Sequence, residues 1–403
     1  MSNVKPNSED RGHAILSPSA SSRWLSCTPS ARLEAGYPRS SSKFADEGTA
    51  AHNISEAIIK VHLDGHSPQA TADYLRVLAI EQAKGFGDAA MLEYCADYAR
   101  WVIERYNEAL HHTKDALIFL EQQLDLTEYI PQGYGHLDVS IIADGVLDII
   151  DLKYGKGVEV SAVENKQMML YALGALKQYD YLYDLKVVRM TIYQPRLHNY
   201  STYEMPYEAL IEWAEKELKP RAEMAFKGEG EFVAGSHCTF CKAKATCREL
   251  AEYNMQLATF NFLEASKLNN KEIAFIISRA KQFTDWLGAV EDYALAEAIK
   301  GTEFDGYKLV EGRTNRKFSD EAKVVETLTK EGYTEDQFYK KSLIGIGDTE
   351  TLVGKKNITA LLGEYIVKPA GKPSLVPVSD KRAVYSNTEA AAKAFEGLEI
   401  PEE

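Results

Sequence analysis

The stretch from Gly135 to Lys153, GHLDVSIIADGVLDIIDLK, decides how the rest of the chain is read. Asp144-Gly145 stands between two apolar runs, Leu137–Ala143 and Val146–Leu152, and an Asp-Gly pair so flanked is a strong signal for a two-residue hairpin turn. With those two residues in the turn, Ala143 faces Val146, and every further pair lies at equal remove from the turn. Asp138 then falls opposite Asp151, and Lys153, two residues on, shares its face. Directly opposed side chains have Cβ atoms about 5 Å apart, and like charges there are destabilising. Two carboxylates and an ammonium gathered in this way need a group to hold them. A divalent cation is the simplest, since Mg²⁺ takes one or two carboxylates plus waters and leaves room for a phosphate oxygen. A solvated strand face carrying Asp and Lys would have the same local sequence, so the remainder of the chain has to decide between the two.

Outward from the hairpin, Ala116–Leu120 and Val187–Tyr193 are short runs rich in branched residues that read as strands. Apolar residues at three- and four-residue intervals predict helices over 49–63, 72–111, 207–226 and 270–299. A capping box, Ser161 with Glu164, is expected to open the helix between the last two strands. The pattern is that of an α/β protein, a small mixed sheet flanked by helices. The expected division is a flexible leader over 1–16, a core domain over 17–260 and a C-terminal α+β extension over 261–403.

At 403 residues the chain exceeds one ordinary core. Its 45% apolar and 10% aromatic content is that of a folded protein rather than a disordered one. No apolar stretch approaches the roughly 20 residues of a membrane helix, which excludes an integral membrane protein of that kind. The polar segment from Met1 to Arg11 has no signal-peptide core, so a cytoplasmic location is expected. A net charge of −14 argues against indiscriminate coating of nucleic acid while allowing a local basic groove. One basic strip, Lys355 to Arg382 with Lys368, Lys372, Lys381 and Arg382, suits an extended segment tracking phosphates, or a plain solvated surface.

Four short motifs follow one another along the chain: Gly48-x-x-x-His52, Gly135-x-x-Asp138, Asp151-x-Lys153 and Gln167-x-x-x-Tyr171. With them the chain resembles the PD-(D/E)XK nuclease superfamily, in its RecB-type branch. The resemblance implies a restriction-endonuclease-like fold in which His52, Asp138, Asp151 and the Leu152 carbonyl hold Mg²⁺ or Mn²⁺. It implies that Lys153 is the catalytic lysine and that Gln167 and Tyr171 position DNA and the lysine. The implied activity is that of a metal-dependent deoxyribonuclease, with exonuclease action the expected mode and DNA with free ends or single-stranded DNA the expected partner. The second acid is Asp where many relatives carry Glu, and the family allows both. The rival reading is a non-catalytic DNA-binding or adaptor protein on a nuclease scaffold, including one that acts on host defence.

Three of the five cysteines, Cys238, Cys241 and Cys247, fall within ten residues, a spacing that points to metal or cluster ligation. Cys27, far upstream beside Trp24, is the candidate fourth ligand. One cysteine before the core and three after it resembles the iron–sulfur subset of RecB-type nucleases, the AddB-type and CRISPR-associated members, in which a [4Fe–4S] cluster staples the ends of the domain. Zn²⁺ held by the three cysteines plus His237 is the competitor. Cys95, in an apolar helical context, is expected to be a buried small hydrophobe. The C-terminal region resembles the tail of an uncharacterised phage-encoded family, which implies action in bacterial cytoplasm beside phage recombination or replication proteins.

Overall fold

The computed structural model describes residues 14–37, 43–256, 269–308 and 321–330, with isolated positions between 334 and 366. The hairpin is built as its turn dictates. Gly145 takes the left-handed conformation, φ 80°, and joins β2 (Tyr134–Ala143) to β3 (Val146–Leu152). Pairing runs from Ala143–Val146 to Val139–Ile150, the register expected from the sequence; the ladder ends there, one residue short of Asp138 and Asp151. On one side β1 (Leu117–Asp125) pairs antiparallel with β2. On the other, β4 (Val187–Gln194) pairs parallel with β3 and β5 (Asn199–Pro206) antiparallel with β4, giving a five-stranded sheet in sequence order. A parallel step cannot be made by a tight turn. The connecting segment here contains a helix, numbered α6 below.

The helices, in chain order, are α1 (Ser21–Ser26), α2 (Ser30–Ala35), α3 (Lys43–Leu63), α4 (Pro68–Ala83), α5 (Ala89–His112), α6 (Lys166–Tyr179), α7 (Tyr207–Trp213), α8 (Lys219–Lys227), α9 (Arg248–Met255), α10 (Asn270–Ile299) and α11 (Glu321–Lys330). Every residue of α6 from Met168 to Leu176 is buried, which explains a helix apolar nearly all round. It covers one sheet face, against Leu124, Ile142, Leu147, Ile149, Val188 and Met190. The opposite face, with Val139, Ile141, Ile150 and Leu152, is covered by α3 and α5 through Ala50, Ala51, Ile54, Tyr98 and Val102. The expected mixed sheet flanked by helices is thus the observed one. Asp148 interrupts the apolar run of β3 and is buried with the guanidinium of Arg105 at 2.9 Å and that of Arg189 at 3.5 Å, so its charge is paired rather than bare. No helix among the described residues is long and apolar enough to cross a membrane.

Several local expectations change. The cap of α6 is Asn165, whose side chain accepts from the amides of Gln167 and Met168. Ser161 instead accepts from the Val163 amide, and Glu164 sits at φ 50°, outside the helix. The helical run over 72–111 is two helices, broken where Gly85 and Gly87 take positive φ. The helix over 207–226 contains a π-helical turn at Ala214–Leu218, just before Pro220, whose ring nitrogen has no hydrogen to donate. β5 carries no apolar run, because only alternate residues are half-buried at this sheet edge.

The chain divides into two units, 1–316 and 317–403. Leu16, expected in a flexible leader, is buried. α10, expected in the C-terminal extension, belongs to the first unit. Gln282 donates to the Gly235 carbonyl at 2.8 Å and the Arg279 guanidinium lies 4.1 Å from the Tyr253 ring centre. Of the second unit, α11 is the one labelled element described, and Lys368, Lys372, Lys381 and Arg382 lie outside the described residues. Close packing of α6 gives a direct test of the core. A Cβ added at Gly174 would stand 2.8 Å from Leu124 Cβ, so Gly174→Ala is expected to lower stability by about 1–3 kcal/mol, read from the shift of the urea unfolding midpoint.

Candidate metal centre

The site forms at the open end of the hairpin because β1 is irregular there. Leu120 pairs with Val139 and Gln122 with Leu137, while Glu121 between them drops out of the ladder at φ 49°. A left-handed glutamate is uncommon and marks a locally imposed backbone conformation. The twist it introduces separates neighbours that would nominally share a face. Leu137 packs on the α6 side and Val139 on the α3–α5 side. Asp138, between them, meets α3: its Oδ1 lies 3.2 Å from His52 Nδ1, and Glu121 Oε1 lies 3.7 Å from the same nitrogen. His52, Glu121 and Asp138 have ligand atoms all within 4.8 Å of one another, the one such group of three among the described residues. Glu121 was not singled out in the sequence. Its only signal is an acid inside a strand of largely apolar and amide side chains, and the φ that frees it is set by the fold.

The other expected residues converge on the same end of the sheet. Asp138 Oδ2 accepts the Leu152 amide at 2.7 Å, bridging β2 to β3 beyond the last ladder pair. Asp151 is almost fully buried; its Oδ2 is 2.7 Å from the Lys153 ammonium and its Oδ1 accepts from Gln167 Nε2 at 3.3 Å. Gln167 also donates to the Tyr171 hydroxyl at 3.0 Å. Tyr171 is buried, with a phenol raised by burial and then by Asp151 and Asp138, so it buttresses Gln167 from within the core. A Cβ at Gly135 would stand 2.8 Å from Pro18 and 3.0 Å from the Tyr171 ring, which is why the strand before Asp138 carries glycine. A Cβ at Gly48 would meet nothing within 4 Å, leaving the surface open one turn ahead of His52.

Three carboxylates here face one imidazole and one ammonium. Burial lowers the pKa of Lys153, but the charges of Asp151 and Asp138 outweigh it and raise the value above 10.5. Without a metal the group is therefore held as a cation and a hydrogen-bond donor. For His52 burial again lowers the pKa, yet Asp138 and Glu121 raise it well above 6.5. Hard oxygen donors with one imidazole are a set that Mg²⁺ or Mn²⁺ accepts, and a cation would take the place of the His52 proton.

A second assembly lies at the ends of the domain. Cys27, Cys238, Cys241 and Cys247 line one small cavity, the first three buried. No three of their sulfurs come within 4.8 Å of one another. Burial raises the Cys238 thiol and pushes that of Cys241 up to about 11. His237 lines the same cavity, with Nε2 2.8 Å from the Val233 carbonyl. Hydrogen bonds independent of sulfur tie the two ends together: Thr28 to the Glu229 carbonyl at 2.6 Å, Arg221 to the Leu25 carbonyl at 2.8 Å, and the Lys242 amide to Glu34 at 2.7 Å. Cys95 is buried as expected, its thiol 3.5 Å from the Ala51 carbonyl.

An acid–imidazole centre at the end of a mixed five-stranded sheet, with a cysteine-lined cavity between the segments around Cys27 and Cys238–Cys247, is the arrangement found. Residues 13–383 match the family described as "Protein of unknown function (DUF2800)", and the chain belongs to that family. It is also similar, at 13% identity and a TM-score of 0.21, to a solved structure titled "Crystal structure of SSO0001", over 57% of this chain and 96% of that one. A likeness at that TM-score carries no argument.

The raised His52 pKa implies stability that is full below 6.5 and is lost as pH rises through the folded-state value. In metal-free protein the His52 imidazole is expected to remain protonated at pH 7, and Asp138→Asn to bring its titration down toward 6.5. Histidine NMR resonances followed against pH read both, and a His52 titration at or below 6.5 in the unmutated chain contradicts the coupling.

Proposed function

We propose that this chain is a metal-dependent deoxyribonuclease of the RecB-type PD-(D/E)XK class, hydrolysing phosphodiester bonds of DNA with free ends or of single-stranded DNA. The observation that carries the reading is the convergence of His52, Asp138, Asp151, Lys153 and Gln167 from α3, the hairpin and α6 at one end of the sheet. These residues lie far apart in sequence, and the Leu152 amide bonded to Asp138 Oδ2 brings the two acid-bearing motifs together, which supports the reading. A scaffold without chemistry gains nothing from opposing two carboxylates, which favours the catalyst over the adaptor.

Mg²⁺ or Mn²⁺ would be held by His52, Asp138, Asp151 and the Leu152 carbonyl, with Glu121 as an added carboxylate. When bound, such an ion polarises a phosphate oxygen and lowers the pKa of a water. Asp138 is oriented for this by the Leu152 amide, and Asp151 by Gln167. Lys153, held as an ammonium, orients the attacking water through its N–H donors and stabilises negative charge that grows on the phosphate. The open surface at Gly48 is the side from which a strand approaches. Phage DNA replication, recombination or processing in bacterial cytoplasm is the setting this reading implies.

The four cysteines would hold a [4Fe–4S] cluster. Zinc with bonds of about 2.3 Å draws its sulfurs to about 3.8 Å of one another, closer than any three stand here. A cluster spreads its thiolates over separate irons, so it does not need three sulfurs that close. Cys27 lines the same cavity as the other three and is the fourth donor of this reading.

Asp151→Asn and Lys153→Ala are each expected to reduce cleavage of labelled single- and double-stranded DNA in Mg²⁺ or Mn²⁺ by at least about 10²-fold while circular dichroism stays unchanged. Full activity in both variants would refute the assignment and return the adaptor reading. For the cysteines, protein purified without oxygen is expected to be brown and to contain iron. Cys27→Ala should lose that iron as Cys238→Ala does, and Cys95→Ala should keep it. Stoichiometric zinc that is indifferent to Cys27 decides for the rival metal.

A further inference from the structure

Tyr98, on α5, holds a polar atom that the protein alone does not satisfy. Its side chain is 2% exposed, and its hydroxyl is buried without a hydrogen-bond partner among the described residues. Buried hydroxyls almost always find a partner, so an orphaned one needs a reason. The ring belongs to the apolar cluster containing Ala51, Val139, Ile150 and Leu152, the chain neighbours of His52, Asp138 and Asp151. It lies 5.1 Å, centre to centre, from the ring of Tyr193, whose carbonyl accepts the Lys153 amide at 2.9 Å. One turn earlier on the same helix, Cys95 contacts the Ala51 carbonyl, just before His52. The helix carrying Tyr98 thus packs on Tyr193 of β4, whose carbonyl holds the Lys153 amide, and on α3, which carries His52.

We propose that Tyr98 is a positioning residue of the metal centre, its hydroxyl donating a hydrogen bond to an ordered water in the hydration shell of a divalent cation held by His52, Glu121 and Asp138. The inference rests on reading that group as a cation site. Burial first, then the charges of Asp138, Asp151 and Glu121, keep the phenol well above its ordinary pKa of 10. It therefore remains an O–H donor. A phenyl ring would fill the same space, so the hydroxyl is retained for what it bonds, not for packing.

The test uses the full chain and its Tyr98→Phe variant, with Mn²⁺ alone as the probe, followed by calorimetry and by the electron paramagnetic resonance of free Mn²⁺. Thermal unfolding of both proteins is recorded without metal. The expected result is that Tyr98→Phe binds Mn²⁺ about ten-fold more weakly, while its metal-free unfolding temperature is equal to or above that of the unmutated chain. Equal Mn²⁺ affinity in the two proteins overturns the proposal, and so does a lowered metal-free unfolding temperature with affinity unchanged, which assigns the hydroxyl a structural water. Failure of the unmutated chain to bind Mn²⁺, or binding indifferent to Asp138→Asn, overturns the cation-site reading and this inference with it.

Discussion

Across the open end of the β2–β3 hairpin the Leu152 amide donates to Asp138 Oδ2 at 2.7 Å, and the surrounding structure depends on that bond. It ties Asp138 of β2 to the end of β3, where Leu152 follows Asp151, beyond the last ladder pair. Each carboxylate is then relieved from a different layer. Asp151 takes the Lys153 ammonium and the Gln167 amide on the α6 side. Asp138 takes the His52 imidazole on the α3 side, where Glu121 joins it. This end of the strands is therefore where residues of both helical layers meet, beside the irregular Glu121.

The balance of charge there is unusual for a resting protein. Three acids share two cations, one of them an imidazole held protonated only by its neighbours. Like charges this close are tolerated where the fold over-determines their positions. Here that is done by the buried helix α6, every residue of which from Met168 to Leu176 lies inside, and by the close approach of Pro18 and Tyr171 to Gly135. Stability is spent at the hairpin end to keep a donor set assembled.

Around the cysteine cavity, the joining of the early segment to the segment after α8 rests mainly on bonds that involve no sulfur. Trp24 is buried and donates to the Ser17 carbonyl at 3.0 Å, and Thr28, Arg221 and Glu34 tie α1 and α2 to α8 and the cysteine loop. The four thiols are brought around one cavity by these contacts. Whatever they bind enters a frame that is already closed.

The sequence by itself determined the hairpin, its register and the order of the motifs, because an Asp-Gly turn between apolar runs leaves one alignment that buries both strands. It also placed β3 and the body of α10, whose apolar spacing is regular, and it marked Cys95 as core. Local sequence could not place β5, whose polar residues are ordered only by pairing with β4, or the α6 cap, expected at Ser161 and found at Asn165. Nor could it find Glu121 and Tyr98. Neither stands at a telling distance from His52 or Asp138 along the chain, and each reaches the centre through packing: a left-handed residue in β1 and a helix laid across β2 and β3. Periodicity and turn chemistry act between near neighbours and are written in the sequence. The company a side chain keeps across three layers is decided only when those layers close.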